Sequence, residues 1–507
     1  MKKIYDFFEK LYDKKVDPTG LALFRICFGF VLLGEVLQLF YFRYLIFNPQ
    51  SIHIHYEFSI NAFLLVWTIV LCFLIVGLFT RYVTIINYVY SVFIFGTSST
   101  WEYHVDYIYM GVGFLLIFTS ISETLSVDSF IKSYREKVAK QPININQVSI
   151  LNYLAILFVG VGLVYFDSVF HKSVSTTWSN GLGVWKPASL PQLTFLDLNW
   201  LMNQKYLMIF ASHLTLLLEL VFIFIFWHKK ARLPIFIVGL GLHLGILIAF
   251  PIPWFALTMI CLYILMIPLG FIKGINIRYQ RLLAKIINSE IDSESENYKD
   301  SIFKKLHIYL IIFCLLGMFI LQLGATYRSP LVQKVVLENN LQNSFVNRAL
   351  SNTAKKISPI GRIFFGIVPH SVFLDFHYTG YNHIVGITYL EKDNTETWLP
   401  ISTPRGQASW YNTGRNWAKI GFRTVGPQVD STLLSNGIKR FTEFYAMKKD
   451  IDLADATFKI KVKKVDIPTE WEKDFLKNQM AKPWQDVGEA TWKDGKFFIE
   501  VPNIESL

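Results

Sequence analysis

Apolar and polar positions alternate on two different scales along this chain. Over the first half, long apolar runs are separated by short charged loops. A helix needs ~20 apolar residues to cross a hydrocarbon layer about 30 Å thick. Nine candidate spans begin near Gly20, Ile60, Val83, Tyr107, Ile150, Tyr206, Leu233, Trp254 and Leu306. The start of the chain is different. Ile4, Phe7, Phe8, Leu11 and Tyr12 recur at helical spacing with lysines between them. This spacing predicts an amphipathic helix on the membrane surface over residues 1–18, rather than a cleaved signal.

Past about Arg328 the period shortens. The segments FFGIVPHSVFLDFHY, HIVGITYL, WAKIGFRTV, TFKIKVKKV and KFFIEV read as strands. Thr432–Met447 reads as a helix, with Leu433, Leu434, Ile438, Phe441 and Phe444 at helical spacing. The expected fold class is a polytopic α-helical membrane protein of about nine transmembrane helices, with a C-terminal extracytoplasmic α+β domain rich in antiparallel strands. The expected divisions are the interfacial helix at 1–18 and a membrane domain of eight spans at 19–273. A cytoplasmic linker at 274–303 follows, carrying the acidic run NSEIDSESENYKD. The ninth span occupies 304–327 and the outer domain 328–507.

Composition narrows the function classes. Of 507 residues, 52% are hydrophobic and 17% charged, against about 25% charged in soluble domains. That deficit excludes a soluble enzyme, a disordered chain and a nucleic-acid-binding domain. The net charge of +11 follows the loops instead. With the N-terminus in the cytoplasm, twenty Lys and Arg residues fall on the inner side. The outer loops before the ninth span hold only Arg43, Lys172, Lys186 and Lys205. This bias places the C-terminal domain outside. The four cysteines, Cys27, Cys72, Cys261 and Cys314, all lie in apolar runs and show no metal or redox spacing. No Asn-x-Ser/Thr sequon is present, which fits the cytoplasmic membrane of a bacterium. The expected partners are membrane lipids and an exported peptide or envelope protein, with no nucleic acid.

The outer face collects the ionisable groups. The first outer loop carries His53 and His55, and the loop before the fourth span carries Trp101, Glu102, His104 and Asp106. The fifth span ends in Asp167, His171 and Lys172, followed by Trp178. Spans six and seven add His213, Glu219 and His243. Ionisable groups in or near a bilayer are costly and often functional. Their ordinary roles are snorkelling, headgroup contact and interhelical hydrogen bonding. His53 and His55, with His104 and His171, are weak metal candidates that fit no ligand template, so no metal is expected. In the outer domain, Asp375 and His377 would share one side of a strand near His370 and His383. The aromatic stretch Trp410–Trp417 reads either as a recognition loop or as a packed turn.

At these residues the chain resembles the vitamin K-dependent gamma-carboxylase-like superfamily, whose membrane part is the horizontally transferred transmembrane (HTTM) domain. Leu21-Ala22-Leu23-Phe24-Arg25-Ile26-Cys27-Phe28-Gly29 is similar to the family's Leu-x-x-Phe-Arg-x-x-Phe-Gly. Trp101-Glu102-Tyr103-His104 with Tyr107 and Tyr109 resembles its Trp-x-x-His plus tyrosines. Ser126-Val127-Asp128, Lys172 before Trp178-Ser179-Asn180-Gly181, and His243 before Phe250-Pro251 resemble three further segments in the same order. The resemblance covers about Gly20 to Pro268. Asn180 stands where the family pattern has an acidic residue, and Lys172 lies one residue further from its tryptophan.

The resemblance implies a lysine that deprotonates a vitamin K-like or menaquinone hydroquinone. Oxygen addition then yields the base that removes a glutamate γ-proton, and carbon dioxide traps the carbanion. It gives Lys172 the base role and His104 a supporting one, with His171 adjacent. Arg25, Trp101, Trp178 and His243 would hold cofactor or substrate. A lysine at a dehydrated interface can act as a neutral base, and a histidine on the same face can stabilise an oxyanion. The superfamily includes a branch similar to the sporulation-delaying protein B, which helps mature a secreted peptide toxin. The leading expectation is therefore a gamma-carboxylase-like membrane enzyme that modifies an exported peptide on the outer side. The alternative is a non-catalytic scaffold or maturation factor whose outer domain binds a partner. A transporter is least favoured, since no inverted repeat or broken-helix pair is visible.

Overall fold

A computed structural model of the chain describes residues 2–47, 60–96, 103–140, 143–144, 146–288, 291–292, 302–378, 383–418 and 431–500. The amphipathic N-terminus forms helix α1 (Lys2–Asp13), with Ile4 and Phe7 exposed. The bundle follows as α2 (Thr19–Tyr41), α3 (Ile60–Val76), α4 (Thr80–Ser91), α5 (His104–Leu116), α6 (Val127–Val138) and α7 (Ile150–Lys172). It continues as α8 (Lys205–Ile225), α9 (Lys229–Ala249), α10 (Pro253–Ile264), α11 (Leu269–Ile287) and α12 (Ile302–Thr326).

Five of these helices are long and apolar enough to cross a membrane: α2, α7, α8, α9 and, over Lys304–Thr326, α12. The expected spans at Ile60 and Trp254 are the shorter apolar helices α3 and α10. Those near Val83 and Tyr107 are helices of 12 and 13 residues, α4 and α5. A π-helical turn at Val92–Gly96 extends α4. The expected boundary after residue 273 falls inside α11, whose helix continues to Ile287.

Polar contacts at the α1 end fix the direction of three helices. Lys15–Val16 pairs with Val148–Ser149 just ahead of α7. The Leu21 amide of α2 donates to the Tyr153 hydroxyl of α7 (3.3 Å). Lys304 at the start of α12 pairs with Asp13 (2.9 Å) and Glu9 (3.4 Å). α2, α7 and α12 therefore run the same way, from the α1 end to the far end.

The rest of the chain packs on that far end. α13 (Pro330–Glu338) and α14 (Phe345–Phe365) follow α12, each capped by a serine hydroxyl, Ser329 and Ser344. Here the expected first strand is replaced. Phe364 and Phe365 end α14, and residues 366–378 are irregular apart from a 3-10 turn at Asp375–His377. Asp375 and His377 do not share a strand face. The run lacks the neat alternation of a half-buried strand, and Gly366 supplies the left-handed cap that stops α14 (φ 62°).

Five strands then form an antiparallel sheet: β1 (His383–Leu390), β2 (Glu396–Trp398), β3 (Asp455–Lys464), β4 (Gln485–Lys493) and β5 (Lys496–Glu500). Their order is β2-β1-β3-β4-β5. On β3, Ala456, Phe458, Ile460 and Val462 alternate into the core. α15 (Ser431–Lys449) covers them with Ile438, Phe441 and Phe444, as its helical spacing anticipates. The last helix is α16 (Phe475–Ala481). Most of the expected strand WAKIGFRTV lies outside the described residues.

Candidate functional site

The last turns of α7, Tyr165 to Lys172, present two faces. Residues three or four apart share a face of a helix, so Tyr165, Ser168 and Lys172 fall together, and Asp167 with His171. A π-helical turn at Phe158–Gly162 precedes them, and such turns re-aim the residues that follow. A helical side chain leans towards its own N-terminus, so Lys172 folds back into the bundle although it ends its helix.

Lys172 is buried. Its Nζ donates to Glu219 Oε1 of α8 at 2.6 Å and lies 4.4 Å from the ring centre of Trp178. Close by, the Tyr165 hydroxyl bonds His243 Nε2 of α9 (2.8 Å) and the Tyr263 hydroxyl of α10 (3.1 Å). The Tyr263 ring lies flat against Gly239, where a Cβ would stand 2.0 Å from Cζ. On the second face, Asp167 accepts from the His370 amide (2.6 Å) and from the Thr326 hydroxyl at the end of α12. His171 Nε2 lies 3.5 Å from Asp167 Oδ2. The His370 ring is 5.9 Å from that of His104.

The segment after α14 closes over this group. Gly366 sits so tightly on α5 that a Cβ would stand 2.2 Å from the Tyr107 carbonyl. The chain then reverses and delivers His370. Further on, Asp375 accepts from Ser175 Oγ (3.0 Å) and from the Thr176 and Thr177 amides (2.8 and 2.9 Å). It thereby caps the short helix that carries Trp178. The Trp178 indole donates to the Phe373 carbonyl (2.9 Å).

Charges outside the spans respond to this packing. Burial pushes the His370 imidazole down to about 4, with His171 and Lys172 acting the same way and Asp167 opposing. Partial burial of Asp375 favours its neutral form, but the Ser175, Thr176 and Thr177 donors outweigh it and hold the carboxyl at about 2. Among the described residues, three buried polar atoms around Lys172 have no hydrogen-bond partner: Glu219 Oε2, His243 Nδ1 and His171 Nδ1. Buried polar atoms are normally satisfied, so these three are open positions for a polar ligand or water.

The fold thus gathers Lys172, His171, Trp178 and His243, and links His104 through His370. Arg25 is elsewhere. It sits in the second turn of α2, near the α1 end, and donates to the carbonyls of Ile121 (3.0 Å), Leu125 (2.5 Å) and Ile75 (3.5 Å). His213 bonds the Ile209 carbonyl of its own helix and is turned outwards. Trp101, His53 and His55 lie outside the described residues. Among the described residues no group of three or more His, Cys, Asp and Glu is placed to hold a metal.

A second buried charge cluster lies beside the first. Arg415, from the aromatic stretch 410–417, reaches between α2 and α5. It contacts both oxygens of Asp106 (2.8 and 2.5 Å) and Glu35 Oε1 (3.1 Å). Tyr109 donates to Glu35 Oε2 (3.1 Å), and Asp106 also caps α5 through the Tyr103 amide (3.1 Å). The two carboxylates keep Arg415 protonated against its burial. The stretch is thus a packed turn: the Gly414 amide bonds Pro251, and Trp410 packs on Phe42.

The HTTM domain model matches residues 13–270. The chain belongs to the HTTM family. This family is tied to vitamin K-dependent carboxylase-like membrane proteins. No curated protein and no solved structure matches the chain. The HTTM region contains His104, Asp167, His171, Lys172, Trp178, Glu219 and His243 of the cluster. His370, Asp375 and Arg415 come from beyond it. Sequence reasoning named Asp167 and Glu219 only as ionisable residues near the outer face, and Tyr165 and Tyr263 carried no charge signal at all. His370 was visible as a histidine, but its chain neighbours gave no hint of the α7 contact.

Proposed function

We propose that this HTTM protein is a multi-pass membrane enzyme of the gamma-carboxylase-like type, modifying an exported peptide on the extracytoplasmic side. The observation that carries the reading is the buried Lys172–Glu219 pair, ringed by polar atoms that have no partner among the described residues. In its neutral form the Lys172 amine would take a proton from a bound cofactor, and the Glu219 carboxylate at 2.6 Å would balance the ammonium so formed. His243, held by Tyr165, and His171, held beside Asp167, offer the open nitrogens that hydrogen-bond oxygen substituents. Trp178 and Tyr263 form aromatic walls. This donor and acceptor set fits a ring bearing two oxygens, so a reduced menaquinone-like quinol is the proposed cofactor. When bound, such a quinol, consuming dioxygen, supplies the strong base needed to break a carbon–hydrogen bond next to a carboxylate, where carbon dioxide then adds. His104 and His370 lie on the path from the cluster towards the outer domain and stabilise developing negative charge. No metal is assigned.

The same proposal orients the protein in a bacterial cytoplasmic membrane. α1 lies at the cytoplasmic surface, and the helices from α2 to α12 supply nine crossings with α3, α4, α5 and α10 as the short ones. Residues 328–507 then lie outside. The second reading, a maturation scaffold, is favoured by one observation. Arg415 ties the outer domain into the bundle through a charge cluster in which each carboxylate oxygen has a donor, as a permanent mount for a partner would require.

The test uses the full chain in lipid nanodiscs, supplied with chemically reduced menaquinone, dioxygen, labelled carbon dioxide and the exported peptides of the host. The enzyme reading expects bound quinone in the lipid extract and label on peptide glutamate. Both are lost in Lys172→Ala, and quinone alone is retained in Glu219→Gln. Absence of quinone together with absence of label sinks it and leaves the scaffold.

A further inference from the structure

The α13–α14 hairpin serves neither cluster directly, yet its surface is strongly patterned. On α14, Val346, Leu350, Ile357, Ile360 and Phe364 recur at steps of three, four or seven, so they form one stripe along the helix. Four of them are largely open: Val346 is 64% exposed, Leu350 49%, Ile360 52% and Phe364 47%. The buried line through Ala354 and Gly361, which faces α12, is a separate stripe beside it. Arg348, Lys355 and Arg362, also at steps of seven, fall on the side opposite the apolar stripe. Between Arg328 and Phe365 the chain has six basic residues, Arg328, Lys334, Arg348, Lys355, Lys356 and Arg362, and one acid, Glu338.

Three features name the occupant. α14 runs back alongside α12, from Ala354 beside Gly324 to Gly361 beside Leu321, and on a helix with an apolar stripe and a basic one the first faces acyl chains while the long basic side chains reach towards headgroups. The stripe is continuous with the apolar surface of the bundle: Ile357 packs on Gly324 of α12. The preceding residue, Leu323, and Leu316 and Ile320 on the turns before it are all exposed. The excess of Lys and Arg matches anionic headgroups, each basic residue near such a surface contributing about fivefold in affinity. We infer that α13–α14 is a lipid-binding arm that lies in the outer leaflet and selects anionic phospholipid. The same helix ends at Gly366, four residues before His370, so a lipid-held arm also fixes the segment that closes over Lys172.

The experiment places a fluorophore on single cysteines of the full chain in a Cys72→Ser background, reconstituted in nanodiscs. The quenchers are brominated phosphatidylglycerol and brominated phosphatidylcholine. Labels at Leu350→Cys and Ile360→Cys are expected to be quenched by both lipids and at least severalfold more by the anionic one. A label at Lys355→Cys should escape quenching. Lys355→Gln combined with Lys356→Gln should bring the two quenchers level at Leu350→Cys. Escape of both stripe positions from both lipids overturns the inference, whether water or a second protein covers the stripe. Equal quenching that ignores the Lys→Gln changes overturns the anionic selection. Because two stripe positions are read separately, failure of one variant to fold leaves the other to decide.

Discussion

Two buried cations sit near each other in the far half of the bundle, and they are built to opposite rules. Arg415 has a carboxylate on each side, Asp106 and Glu35, and Tyr103 and Tyr109 occupy further acceptor positions on those acids. Lys172 has one acid, whose second oxygen accepts nothing among the described residues, and His243 and His171 each keep an open Nδ1 there. A fully paired buried charge network fixes geometry, and removing one member leaves the others uncompensated. A partly paired network stores unused hydrogen-bonding capacity, which is what a ligand site requires. Arg25 belongs with the mount: at the other end of the bundle its guanidinium donates to the loop carbonyls of Ile121 and Leu125 and to that of Ile75 in the last turn of α3.

The largest effect is expected where every carboxylate oxygen has a donor. Arg415→Ala should cost about 3–5 kcal/mol, since Glu35 and Asp106 would be left facing each other in a dry interior. Arg415→Lys should recover only part of this, because an ammonium cannot reproduce the two-pronged contact with Asp106. Thermal unfolding in nanodiscs, together with protease sensitivity of the outer domain, reads both. A loss well below this range would mean that Arg415 is no mount.

Next in size is a pH effect carried by His370. Its imidazole titrates at about 4 in the fold and near 6.5 in an unfolded chain. Between these values the unfolded chain binds the extra proton, so stability falls as pH drops from about 6.5 to about 4. The full swing is about 3 kcal/mol. Melting at pH 7.5 and pH 5 should differ in the wild type and differ less in His370→Gln.

Of similar size is the structural cost at the open cluster. Lys172→Met should destabilise by about 3 kcal/mol, the low end for breaking a buried ion pair, because it strands one carboxylate where Arg415→Ala strands two, while abolishing any activity. A cost as large as that of Arg415→Ala would erase the distinction drawn between the two clusters. The smallest change is expected for Asp375→Ala. Loss of a helix cap costs about 1 kcal/mol, and the readout is a shift in the fluorescence of Trp178, whose short helix Asp375 holds.

Several features were legible in the chain because they depend on local pattern. The amphipathic α1, the long apolar helices, the helix at Ser431–Lys449 and the strands around Phe458 and Phe497 all follow from the spacing of apolar residues. The family was legible too, since the motifs from Leu21 to Pro251 lie inside the region that the HTTM model matches. The irregular strap from Gly366 to Tyr378 was not. Its residues alternate loosely enough to suggest a strand, but Gly366 turns the backbone and Asp375 is spent on capping a helix about 200 residues earlier in the chain. Short helices such as α5 also blurred the boundaries, because thirteen residues with buried flanks do not announce a span.

The sequence by itself determined the class of the protein. Apolar runs long enough to satisfy their backbone inside hydrocarbon leave little choice but helices, and the loop charges bias their orientation. Which charges meet was decided only by tertiary structure. Glu219 reaches Lys172 across 47 positions, His370 reaches Asp167 across 203, and Arg415 reaches Asp106 across 309. No local spacing encodes those pairings. They exist because a buried charge must find its partner wherever packing brings one within hydrogen-bonding distance.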